Sequence, residues 1–82
     1  MLPMNSQSNL KYKVSVIEAE DGFGDVIEVR YFDTLKLAEY FISDYEFLMS
    51  QYNTSRHIKY AVLDGLVDKY EDKESQRRGQ NY

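Results

Sequence analysis

The chain carries one imidazole, His57, and no cysteine, and these two facts narrow its chemistry at once. A hydrolytic triad needs a nucleophile held beside a base that a third group orients. Ser55 lies close by in sequence, but no motif surrounds the pair. An active site shows convergent polar groups, and none is visible here, so the chain reads as non-enzymatic. One histidine cannot make a histidine cluster. Without cysteine there is no disulfide staple and no thiolate metal site, which fits a reducing compartment.

Carboxylates offer the next chemistry. Glu18, Glu20, Asp21, Asp25 and Glu28 crowd one stretch with no basic residue between Val14 and Val29. Hard cations such as calcium take oxygen ligands. The spacing Asp21-Gly22-Phe23-Gly24-Asp25 does not match the EF-hand loop, and one glycine-rich turn is not an array of calcium-binding repeats. A solvated acidic turn is the simpler account, since acidic turns are common, and no metal or cofactor is assigned. Gly22-Phe23-Gly24 also lacks the third glycine, the lysine and the following helix of a phosphate cradle. Asn53-Thr54-Ser55 fits the glycosylation pattern, which carries no weight without a secretory signal.

Lys11, Lys13, Arg30, His57 and Lys59 are phased to the sheet face opposite the helix, where they would form a basic patch. RNA-binding sheets place aromatics on such a face to stack bases, whereas Tyr12, Tyr31 and Tyr60 are phased inward here. Fourteen acids against ten bases give a net charge of −4, and phosphate affinity comes from an excess of Lys and Arg. Nucleic acid binding through Lys11, Lys13, Arg30 and Lys59 therefore ranks low.

An aromatic pair remains. Asp33 to Tyr52 reads as one helix whose buried stripe is Ala38, Phe41, Ile42, Tyr45, Leu48, Met49 and Tyr52. Tyr40 and Phe47 stand outside that stripe and fall within about 20° of each other on the far side. Lys36, Ser43, Asp44, Ser50 and Gln51 ring them, which is the anatomy of a small binding hot spot. The pair offers about 300–500 Å² of apolar surface, less than the roughly 1,000 Å² of a specific interface. Phe23 at the hairpin tip, or Tyr70, would have to add to it. The expected function is a small protein-binding module using Tyr40, Phe47, Lys36, Asp44 and Phe23. The alternative is a homo-oligomeric structural protein pairing outer helix faces. The partner is thus another protein or a second copy. A cover supplied by Met1, Leu2 and Met4, or by Leu66, Val67 and Tyr70, would leave the pair without such a role.

The elements that must position these residues make one small domain. The 82 residues allow a core burying about 60–65% of the unfolded surface. Residues 1–9 read as a flexible lead and residues 72–82 as a disordered polar tail, leaving 10–71 as the folded unit. No stretch is long enough to span a bilayer. The start lacks the charged and apolar regions of a signal peptide, so a cytoplasmic location is expected. In size and lack of motifs the chain resembles small accessory proteins, including those of bacterial viruses; no particular residue carries that resemblance.

Leu10–Glu20 alternates as a half-buried strand. A turn at Gly22-Phe23 would pair Asp25–Phe32 with it, setting Val16 against Val29, Val14 against Tyr31 and Glu18 against Ile27. Asp33 or Thr34 caps the helix and Asn53 ends it. His57–Leu63 is a third strand with Ile58, Tyr60 and Val62 toward the core. Asp64-Gly65 signals a hairpin into a fourth strand or short helix at Leu66–Tyr70. The class is α+β, in the order β-β-α-β-(β), with one helix on one face of a mainly antiparallel sheet.

Overall fold

The structure, a computed structural model, describes residues 10–71; the expected lead and tail lie outside the described residues. Strand β1 (Leu10–Glu20) turns at Asp21-Gly22 into β2 (Phe23–Phe32). The turn residues have φ of 53° and 89°. Positive φ at both central positions defines a type I′ turn, whose twist matches a hairpin and which favours Asp-Gly. The reversal therefore comes one residue earlier than Gly22-Phe23, and Phe23 pairs with Glu20. This shift, together with a bulge further along, corrects the expected register. Val14 faces Arg30 rather than Tyr31, Val16 faces Glu28 rather than Val29, and Glu18 faces Asp25 rather than Ile27. Ile27 is the extra residue of a bulge between the Val16 and Ile17 pairs, which resets the phase of β2 halfway along.

Helix α1 spans Leu35–Met49, shorter at both ends than expected. Thr34, in an extended conformation, is the N-cap, and its hydroxyl accepts from the Leu37 N–H at 3.2 Å. Ser50 takes the C-cap position instead of Asn53. The Asn53 side chain instead brackets Lys59, accepting from its N–H at 2.8 Å and donating to its carbonyl at 3.0 Å. One amide side chain thereby satisfies backbone groups along the free edge of the third strand.

That strand, β3 (His57–Asp68), runs straight through Asp64-Gly65. No hairpin forms there, and Leu66–Asp68 continue the same strand instead of starting a fourth. The eleven residues of β1 offer a partner along its whole length, from Glu20↔His57 to Leu10↔Asp68. Asp64 is absorbed as a bulge, Gly65 takes a φ of 120° that suits glycine, and the Asp64 carboxylate accepts from the Ser15 hydroxyl. A 3₁₀ turn at Lys69–Glu71 follows.

The sheet order is β2-β1-β3, both neighbours antiparallel to β1. Helix α1 carries the chain from one edge to the other across β1. The architecture is α+β in the order β-β-α-β. The core is small: Val14, Val16, Ala38 and Ala61 are buried, with Tyr12, Ile27, Phe32, Phe41, Ile42 and Tyr45 packed around them. Ala38 against Ala61 lets helix and sheet approach closely. Ile58, Tyr60 and Val62, expected toward the core, alternate with Ala61 and lie on the other face.

Candidate functional site

Tyr40 and Phe47 stand on the outer side of α1, 56% and 72% exposed. They have company. Leu37 and Leu48 are 49% and 51% exposed. At 100° per residue, Leu48, Leu37, Tyr40 and Phe47 fill an arc of about 100° along one flank and the top of the helix. Asp44 falls inside that arc. Leu48 was expected in the buried stripe, as was Tyr52, which is exposed and lies beyond the helix end. The surface is thus a stripe and not a pair. Its signal was present as a second helical period running through positions 37, 40, 44, 47 and 48.

The stripe has a firm foundation. The Phe41 ring stacks on Tyr45 with centroids 5.8 Å apart and meets Phe32 at 5.3 Å. The Arg30 guanidinium sits 5.1 Å from the Phe41 centroid and pairs with Glu28. Phe41, Asp44, Tyr45, Leu48 and Met49 line a shallow, mainly apolar groove beside the stripe. Burial pushes the Tyr45 phenol above its ordinary pKa, helped by the charges of Glu28 and Glu18. On top of the helix the Lys36 ammonium lies 5.8 Å from the Tyr40 centroid, four residues away on the same face. That cation–π contact is worth about 0.5–1 kcal/mol at an exposed site and holds the ring along the helix. Leu66 and Val67 are built into β3, and Tyr70 follows it in the 3₁₀ turn beside Lys69, whose ammonium reaches Tyr31. Among the described residues none of these covers Tyr40 or Phe47.

Phe23, 83% exposed, does not join the stripe. It lies at the hairpin tip, in a recess shared with Glu18, Glu20, Asp21, Asp25 and Ile27. Two of these acids have local partners. Glu18 meets the His57 ring at 2.5 Å, and Asp21 accepts from Arg56 at 3.0 Å. The Asp21 N–H also donates to the Arg56 carbonyl at 2.8 Å. These contacts tie the helix-to-β3 loop to the hairpin tip. Among the described residues no group of three or more His, Cys, Asp or Glu is placed to hold a metal ion. No helix there is long and apolar enough to cross a membrane.

The basic patch does not assemble. Paired residues on neighbouring strands share a face and successive residues alternate. Arg30 pairs with core Val14, and Lys59 and His57 lie in phase with core Ala61, so all three belong to the helix side. Only Lys11 and Lys13 stay on the other face. Lys11 is salt-bridged to Asp33, whose carboxyl it holds below the usual aspartate range by hydrogen bond and charge, with Lys69 adding to the effect. Lys13 is only 8% exposed. The aromatics are also redistributed. Tyr12 faces the helix, while Tyr31 and Tyr60 lie on the opposite face.

Compared with known proteins, the chain matches no family model, no curated protein and no solved structure.

Proposed function

We propose that this protein is a small protein-binding module, an adaptor or inhibitor without chemistry of its own, that engages another protein through the outer face of α1. The observation that carries the reading is the exposure of Tyr40 and Phe47, at 56% and 72%, on a helix whose other side already supplies the core. Leu37 and Leu48 widen the patch, Lys36 fixes Tyr40, and Asp44 supplies a polar point for orientation. Exposed aromatics held on a rigid helix lose little conformational entropy on binding, which is why such residues serve as hot spots. The mode would be a helix face presented to a groove or flat surface.

The test is affinity capture from the native cell lysate with the wild-type protein and with Tyr40→Ala plus Phe47→Ala. The reading expects a protein retained by the first and lost by the second, with both baits equally folded by circular dichroism. Equal capture by both baits would overturn it.

A further inference from the structure

We propose that the shallow groove beside the stripe on α1 receives a large apolar side chain with a lysine or arginine next to it, so that the partner offers a basic amphipathic segment whose cation meets Asp44. This inference rests on the helix-face reading and names the chemistry of what binds there.

Phe41, Asp44, Tyr45, Leu48 and Met49 line the groove, whose volume is about 210 Å³. Small-molecule sites run to roughly 300–1,000 Å³, so one inserted side chain suits it better than a free metabolite. Its lining is apolar or aromatic apart from the Asp44 carboxylate. Apolar anchors seated in such pockets, with exposed aromatics around them, are the usual centre of an interface.

The charge of the helix selects the neighbour of that anchor. A helix favours acids at its N-terminus and bases at its C-terminus. In α1 the order is reversed. Lys36 is in the first turn, Asp44 and Glu46 are in the last two turns, and the last turn holds no base. Among the described residues neither of these acids is in an ion pair. Arg30 lies over Phe41 but is paired with Glu28. Behind burial, the charges of Glu28 and Glu18 also raise the Tyr45 phenol, so negative charge reaches the groove floor. A cation brought to Asp44 meets the carboxylate and the negative end of the helix together. The net charge of −4 steers the same class of partner.

Other occupants fit less well. Nucleic acids and anionic lipid surfaces are repelled by these acids. A second copy has one base on α1, Lys36, and its ammonium already lies over Tyr40.

Two small probes that share a phenyl ring and differ in charge, 2-phenylethylammonium and phenylacetate, test this. Each is titrated at low ionic strength into the 13C-labelled full chain, as wild type and as Asp44→Asn. The proposal expects saturable shifts at the Leu48 and Met49 methyls. Wild type should bind the ammonium about threefold or more tightly than the carboxylate, the scale of an exposed ion pair, and Asp44→Asn should lose that preference. Equal binding of the two probes by wild type, tighter binding of phenylacetate, or no shift with either overturns the proposal. So does a preference for the ammonium that survives Asp44→Asn. Capture from the native lysate with Asp44→Lys separates this claim from the reading beneath it. A protein retained by Asp44→Lys as by wild type, but lost by Tyr40→Ala plus Phe47→Ala, overturns the basic partner and leaves the helix-face reading standing. A protein retained by every bait overturns both. A wild-type dimer in sedimentation equilibrium that the aromatic change dissociates makes a second copy the occupant and also overturns the proposal.

Discussion

Replacing Tyr40 and Phe47 together by alanine separates a surface role from a core role by magnitude. Phe47 keeps only about a quarter of its surface from water, about 50 Å², and Tyr40 a little under half, about 90 Å², for side chains of about 200 Å². At about 25 cal/mol per Å² the two truncations forfeit about 3–4 kcal/mol, an upper bound because the unfolded chain also hides apolar surface. The Lys36–Tyr40 contact adds about 0.5–1 kcal/mol to the loss. Alanine returns about 0.5 kcal/mol per site through its helix propensity. The net expectation is a loss of at most about 2.5–4 kcal/mol, against about 6–10 kcal/mol for two core aromatics. Urea unfolding followed by circular dichroism measures it, with the m-value checked for constancy. A loss above about 5 kcal/mol, or failure to fold, would mean that other parts of the chain bury the pair, and the helix-face reasoning would be refuted.

Three further outcomes are expected. Val16→Ala, at a fully buried position in the centre of β1, should cost about 2–3 kcal/mol in the same urea assay, from lost transfer energy plus a cavity; a cost below 1 kcal/mol would misplace the core. Gly22→Ala meets no neighbouring atom, so its cost should be the left-handed backbone alone, about 1–2 kcal/mol, whereas an unchanged midpoint would argue against the type I′ turn. The Asp33 carboxyl should titrate below the usual aspartate range by NMR, because Lys11 and Lys69 favour its charged form. A depressed carboxylate stabilises the fold above its unfolded pKa, and that contribution disappears as pH falls through the folded value. Lys11→Met should move the midpoint up, and an unmoved midpoint would show that the salt bridge is not formed.

The sequence made the elements legible but not which way two of the strands face. Alternation in β1, the apolar period of α1 and the Thr34 cap all lie in local chemistry, and each appears in the fold. The hairpin register failed because two adjacent two-residue turns were possible. Either turn alone would keep Ile27, Val29 and Tyr31 on one face, because moving a two-residue loop by one position shifts the pairing by two residues. The bulge at Ile27 splits those three residues between faces, and no local pattern announces a bulge. Assigning Ile58, Tyr60 and Val62 to the core followed from size. The helix instead rests over Ala61, Val14 and Val16, where small side chains admit it, and the larger residues lie on the second apolar face. Asp64-Gly65 carries a strong turn signal, but the long β1 partner overrides it. The aromatic pair was visible from helical phase alone. Leu37 and Leu48 were not, because a leucine on a helix flank is ordinarily core and its exposure is decided by how far the sheet extends beneath it. The basic patch depended on strand register and dispersed with it.

The measurement closest to the central claim is the chemical-shift footprint of a captured protein on the 15N- and 13C-labelled chain. Binding at the outer helix face predicts the largest changes at Leu37, Tyr40, Asp44, Phe47 and Leu48, with Ile17 and Val62 little affected. Changes concentrated on the sheet face or at the Asp21-Gly22 tip, with Tyr40 and Phe47 unmoved, would contradict it.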